Sequence, residues 1–200
     1  MKIVFATGNE NKVREIREIF SDLNAEIVTM SQEGIHIDIE ENGDSFRENA
    51  LIKARAVSKY VKDAIVMADD SGLVIDALGG EPGIYSARYL GHDTSYHEKN
   101  MNLIGRLEGV PDQERSARFV CAVAAVLPDK TELVAQETME GRIGYEEKGS
   151  NGFGYDPIFF LPEEGRYSAE LLLEEKNAIS HRGKALRKMR EMLHESFDRQ

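Results

Sequence analysis

Glu40-Glu41 and Asp69-Asp70 are two pairs of adjacent carboxylates, each placed where a strand-like stretch runs out. Carboxylates gathered at strand ends suit Mg²⁺, a hard cation that takes one or two carboxylates together with phosphate oxygens and waters. In a chain with 36 acidic residues, either pair also reads as solvated acids in turns. Lys53 follows in the next helical stretch and otherwise reads as an exposed helix lysine. Thr7-Gly8-Asn9-Glu10-Asn11-Lys12 carries a strand through a glycine turn into a helix. Unpaired N–H groups and the positive end of the dipole at such a start welcome an anion, and Lys12 adds a point charge. The same segment also reads as a capped turn with a solvated lysine, and the GxxxxGK[ST] phosphate loop is absent.

Two further segments are unusual. Asn151-Gly152-Phe153-Gly154-Tyr155-Asp156-Pro157 sets two aromatics between glycines in a loop, where they have little core to join. An aromatic face there can stack on a base, and Asp156 can accept a base N–H. The plain alternative is a glycine turn whose aromatics cover the end of a sheet. Ser180-His181-Arg182, with Lys176 upstream, opens the last helix. Cations at a helix start oppose its dipole, which hints that something anionic or oxygen-rich faces them. Cys121 lies in the most apolar stretch and reads as core. His36, His92, His97, His181 and His194 show no metal-ligand spacing.

The elements that must position these residues alternate between strand and helix. Lys2–Ala6 reads as a strand, and Thr7 with Glu10 has capping-box spacing before a helix over Asn11–Phe20. Ile35, Ile37 and Ile39 alternate with polar residues, the period of a half-buried strand. Ser45 and Glu48 mark a second capping box, and the apolar spacing from Phe46 to Val61 continues a helix. Ala64–Ala68 reads as a buried strand ending in Asp69-Asp70-Ser71-Gly72. A helix near Tyr96–Leu107, a long strand over Ser116–Leu127, a turn at Pro128-Asp129-Lys130 and a strand over Glu132–Met139 follow. The last helix begins at Ser180, with Leu186, Met189, Leu193 and Phe197 as its apolar stripe. Early strand–helix units with a later hairpin predict an α/β fold: a mixed sheet flanked by helices, drawn out into two lobes with a cleft, over one domain of residues 1–200.

Composition narrows the function. Lys plus Arg is 25 against 36 acids, a formal charge of −11, which argues against binding a nucleic-acid polymer. A small anionic substrate carried with a divalent cation stays open, because the cation supplies positive charge. A single cysteine excludes an internal disulfide. The longest apolar run, Phe119–Leu127, is nine residues, against about 18 for a membrane span. The start of the chain carries no signal-peptide pattern, so the expected compartment is the cytoplasm.

Taken together, these segments resemble the inosine triphosphate pyrophosphatase family, also called the Ham1 or RdgB family. The matching residues are Thr7-Gly8-Asn9 through Lys12, Glu41 with Phe46 to Lys53, Ala68-Asp69-Asp70-Ser71-Gly72-Leu73, Phe153-Gly154-Tyr155-Asp156-Pro157, and Lys176 with Ser180-His181-Arg182. The resemblance implies a two-lobed homodimeric enzyme that uses Mg²⁺ to hydrolyse ITP, dITP and XTP to the monophosphate and pyrophosphate. It implies that Thr7, Gly8, Asn9, Glu10, Asn11 and Lys12 hold phosphate, and that Glu41 and Asp70 bind metal. Asp70 is also the implied proton acceptor. Lys53, Ser71, Phe153, Gly154, Tyr155, Asp156, Lys176, His181 and Arg182 are the implied further substrate contacts. Of these, Arg182 is expected to donate to the purine O6 and Asp156 to accept the N1 proton. Two alternatives are a Maf-like nucleotide pyrophosphatase, whose Ser-rich, Arg-containing first loop is missing here, and a nucleotide sensor without turnover, which would not need the acids Glu41 and Asp70.

Overall fold

The computed structural model describes residues 1–21 and 25–197, and the side chains of Glu10, Asn11 and Phe197 lie outside the described residues. The elements run β1 (Lys2–Phe5), α1 (Glu10–Ile19), β2 (Glu26–Thr29), α2 (Phe46–Ser58) and β3 (Ile65–Ile75), then α3 (Tyr96–Arg106), β4 (Ser116–Val126) and β5 (Glu132–Ile143). After these come β6 (Phe159–Leu161), β7 (Arg166–Tyr167), α4 (Leu173–Ile179) and α5 (His181–Phe197). The strands form one mixed sheet in the order β2-β1-β3-β4-β5-β6-β7. β1 pairs in parallel with β2 and β3, while β6 pairs antiparallel with β5 and β7. This is the mixed, helix-flanked α/β sheet the sequence predicts. No helix among the described residues is long and apolar enough to cross a membrane.

The chain divides into two compact units. The first comprises residues 1–70, 121–137 and 181–200. Its part of the sheet is covered on both faces, which is why the run from Cys121 to Leu127 is continuously apolar rather than alternating. Ile65 and Met67 of β3 join Ile3, Phe5, Cys121 and Val123 in a core closed by α1 and α5. Val66 and Ala68 join Val4, Ala122 and Ala124 in a second core closed by Ala50, Ala54 and Val57 of α2. The alternation of β3 side chains between these two cores sets up the site described below. The second unit, residues 71–120 and 138–180, closes a separate core around Leu73, Ile75, Leu103, Phe119, Ile143 and Phe159.

Three expected elements differ. Residues 35–43 lie in no ladder, although Ile35, Ile37 and Ile39 do pack on the α2 core. Period two reports side-chain alternation, and a tightly tethered extended segment meets that requirement without strand partners. Glu40-Glu41 therefore does not end a strand, and the strand beside β1 is the Glu26–Thr29 segment. β3 does not stop at Ala68 but runs through Asp69-Asp70-Ser71-Gly72 to Ile75. The acids and the glycine masked a strand whose polar positions have partners on either side. Lys176 sits on a helix of its own, α4, and Ser180 is the residue that ends it before α5 begins at His181.

Candidate active site

Because successive strand residues face opposite ways, Asp69 and Asp70 enter different surroundings although they are chemically alike. Asp69 continues the Ile65–Met67 face toward α1 and α5. Its Oδ2 accepts from Lys12 Nζ at 2.9 Å and from Arg182 Nε at 3.3 Å. The Arg182 guanidinium also bonds the buried Glu15 of α1. Burial by itself would raise the Asp69 carboxyl, but Lys12 first, then Arg182 and Lys53, outweigh it and hold it well below the usual carboxylate range. The same pairing raises the Arg182 pKa against the lowering effect of its own burial. Asp69 Oδ1 is buried with no hydrogen-bond partner among the described residues. Here is the anionic partner that the cations at the start of α5 implied.

Asp70 faces α2. Its Oδ2 accepts from Asn49 Nδ2 at 3.2 Å, and its Oδ1 lies 3.5 Å from Lys53 Nζ, which is itself 2.8 Å from Glu41 Oε2. Lys53 is thus buried between two carboxylates rather than exposed on its helix. Burial pushes the Asp70 carboxyl up; Lys53 opposes the rise and the Glu41 charge adds to it. Lys53 stays raised despite its burial because Asp70, Asp69 and Glu41 surround it. The residues fit a hard divalent cation: two carboxylates converge on one ammonium and carry more negative charge than it neutralises. Among the described residues no group of three or more His, Cys, Asp or Glu side chains forms a metal cage, so the remaining positions on such an ion would fall to water and phosphate oxygens.

Local sequence explains how these side chains arrive. α1 starts at Glu10 with Asn9 ahead of it: Asn9 Oδ1 accepts from Lys12 N at 3.4 Å and Thr7 Oγ1 from Asn9 N at 3.1 Å. Asn9 rather than Thr7 is therefore the cap, and the proposed Glu10 and Asn11 side-chain contacts lie outside the described residues. Thr7 and Gly8 form a partly exposed to exposed turn at the end of β1, with Lys12 aimed back at Asp69. On α2, Ser45 Oγ caps Glu48 N as expected, but Glu48 returns to Asp44 N. The sequence reading missed Asn49 and Glu15. Fully buried Asn49 ties Gly43 N to Asp70, and Gly43 is needed because a Cβ there would lie 2.8 Å from Asn49 Oδ1. An asparagine inside a helix is a weak helix former, and that was the available signal.

The second unit gathers Phe153, Asp156 and Lys176. Asp156 Oδ2 accepts from Phe153 N at 2.8 Å and from Lys176 Nζ at 2.7 Å, and Oδ1 from Ser168 Oγ at 2.8 Å. Asp156 and Lys176 are both buried, and their ion pair fastens the glycine loop. The Lys176 ammonium lies 4.8 Å from the centre of the half-buried Phe153 ring. Tyr155 does have a core to join, contrary to expectation: it is buried, donates to Ser86 O at 2.7 Å and meets Tyr96 edge to face. Phe153 is therefore the loop aromatic left near the surface. Ser71 continues β3 in this unit, and Gly154 adjoins Tyr96. His181 is buried at the start of α5 in the first unit. Gly152 has φ +72°, and a Cβ there would lie 2.3 Å from Asp156 Oδ2. Gly152→Ala is expected to cost about 1–3 kcal/mol by strain and loss of the Asp156 clamp, read as a lowered urea midpoint. An unchanged midpoint would show that the clamp does not hold the loop.

Burial, with the Asp69 charge adding, pushes the Cys121 thiol up to about 12.

A model of the Ham1 family matches residues 3–192 of the chain. A dITP/XTP pyrophosphatase of Caldanaerobacter subterraneus subsp. tengcongensis is 47% identical over 193 residues, covering 96% of each chain. One of Shigella flexneri is 49% identical over 188 residues, covering 93% of this chain and 94% of its own. Among solved structures, a HAM1 protein from Coxiella burnetii superposes with a TM-score of 0.88 at 41% identity, covering 98% of this chain and 99% of its own. The Staphylococcus aureus Ham1 protein gives 0.87 at 38% identity, covering 98% and 100%.

Proposed function

The chain belongs to the Ham1 family, and from that premise we propose that it hydrolyses non-standard purine nucleoside triphosphates, ITP, dITP and XTP, to the monophosphate and pyrophosphate. The activity clears the nucleotide pool of deaminated purines before they enter DNA or RNA. The observation that carries the reading is the division of labour between the neighbours Asp69 and Asp70. One is held fully ionised by two cations; the other is raised, and shares Lys53 with Glu41.

In this reading Glu41 and Asp70 hold Mg²⁺. When bound, the ion neutralises charge on the phosphate oxygens and polarises the anhydride to be broken. The Thr7–Asn9 turn and the start of α1 hold phosphate through backbone N–H groups. Lys12 and Lys53 add positive charge, each oriented by a carboxylate. Asp70 accepts a proton from water as its oxygen attacks the α-phosphorus. The bond from that phosphorus to the bridging oxygen breaks, and pyrophosphate leaves with the electron pair. In the second unit, Phe153 offers its ring to the purine, an interaction of about 1–3 kcal/mol. Arg182, tied to Asp69 and Glu15, acts on the phosphate end by holding Asp69 and with it Lys12.

The homodimer that the family resemblance implies is part of this proposal and is testable by light scattering. A substrate drawn from the nucleotide pool suits a cytoplasmic place of work.

The test is pyrophosphate release from ITP, dITP and XTP against ATP and GTP. Turnover is expected with the first three, strong rejection of ATP and weaker rejection of GTP, which shares O6 and the N1 proton. EDTA is expected to abolish turnover and added Mg²⁺ to restore it. Equal rates on ATP and ITP, or full activity in EDTA, would overturn the assignment.

A further inference from the structure

The glycine loop is fastened a second time from α3, by residues that none of the chemistry above uses. Asn100, in the second turn of that helix, is buried. Its Nδ2 donates to Glu147 Oε1 at 2.7 Å and to the Gly154 carbonyl at 3.3 Å. Both partners are pure acceptors, so the amide can only be oriented with nitrogen toward them. That leaves Oδ1 buried without a hydrogen-bond partner among the described residues, a cost the site tolerates for the sake of the other two bonds. The second oxygen of Glu147 meets His97 Nδ1 at 2.7 Å. One turn of helix thus grips Glu147, and through Asn100 it grips the peptide next to Phe153. Tyr96, the first residue of α3, packs edge-on against Tyr155 on the other side of Gly154. Asp156 holds the amide end of Phe153, and Asn100 holds the carbonyl of the residue after it.

We propose that Asn100 and Glu147 are positioning residues for base recognition: together they set the orientation of the Phe153 ring, and so the affinity for the purine, without touching substrate. The proposal rests on the reading that Phe153 stacks on the base. Loss of the pair should raise KM for ITP and leave the rate of the bound complex alone, since the proton acceptor and the phosphate contacts lie in the first unit.

The experiment measures kcat and KM for ITP, and inhibition by inorganic pyrophosphate, in four variants. Glu147→Ala is expected to raise KM about tenfold, with kcat and the pyrophosphate inhibition constant within about twofold of the parent. Glu147→Gln is expected to restore KM, because the amide oxygen can accept from Asn100 and its nitrogen can donate to His97. Asn100→Ala should raise KM similarly, and the double variant Asn100→Ala/Glu147→Ala should be no worse than either single one, as for residues acting through one shared bond. Phe153→Ala, measured alongside, tests the reading beneath. If it raises KM and Glu147→Ala does not, the positioning role is overturned and base stacking stands. If it leaves KM unchanged, base stacking fails and the proposal falls with it. A parallel rise of KM and the pyrophosphate constant in Glu147→Ala means general loosening and also overturns the proposal.

Discussion

Asp70→Asn is expected to lower ITP turnover by about a hundred- to ten-thousandfold, the range for removal of a general base, while making the protein more stable at neutral pH. The two effects have one cause. Burial raises the Asp70 carboxyl above its ordinary value, with Glu41 adding to the rise against Lys53. A carboxyl whose folded pKa lies above its unfolded one favours the folded state when protonated. That advantage is present at low pH and is lost as pH rises from about 4 through the folded value. At pH 7 the ionised group therefore weakens the fold, and asparagine removes the charge without changing the size. The amide oxygen can still accept from Asn49, and Lys53 keeps Glu41. Thermal melts of parent and variant should show a higher midpoint for Asp70→Asn at pH 7, and the gap should close toward pH 4. A variant that keeps near-normal turnover, or that melts lower at every pH, would mean that Asp70 is a structural acid and not the reacting one.

The second large effect is expected at Arg182, and it is one of stability. Arg182→Ala leaves Asp69 and Glu15 buried without their shared cation, and breaking a buried pair in this way costs about 3–5 kcal/mol. Here the sign is opposite to that at Asp70. The folded Asp69 carboxyl lies below its ordinary value, so in the parent its contribution is present above about pH 4 and is lost as pH falls toward the folded pKa. In the variant Asp69 keeps only Lys12 as a close cation among the described residues and its folded pKa moves up, so the deficit against the parent should shrink on acidification. Urea unfolding at pH 7 and at pH 4.5 reads both quantities. The alternative is that the guanidinium reads the purine O6. Arg182→Ala would then unfold within about 1 kcal/mol of the parent and lose its ITP-to-ATP preference; that result would return Arg182 to base recognition.

Much of this protein is written in local pattern. The helical spacing of Val13, Ile16 and Phe20 and the apolar run through Cys121 identify α1 and β4, because burial on one face or two leaves a periodic or continuous mark on the sequence. From the residue types at Thr7–Lys12, Glu41, Asp70 and Phe153–Asp156 the resemblance implies phosphate, metal and base chemistry, and each segment also has a plain structural alternative. Local pattern could not say which partner each charge takes. Asp69 and Asp70 are identical in composition and adjacent in the chain, and only their place inside β3 sends one to Lys12 and Arg182 and the other to Asn49, Lys53 and Glu41. Arg182 meets Glu15 across 167 positions of chain, a distance at which no spacing rule operates. Tyr155 and Lys176, which the resemblance implies as substrate contacts, are also a core aromatic and one half of an internal ion pair, because Ser86 and Asp156 lie beside them. Periodicity and residue type record what a side chain must do locally, so the sequence alone determined elements with a clear period, such as α1 and β4, and pointed to the kind of chemistry. Pairing energies in a low-dielectric interior depend on which groups long-range packing brings within a few ångströms, and that was decided only by the tertiary structure.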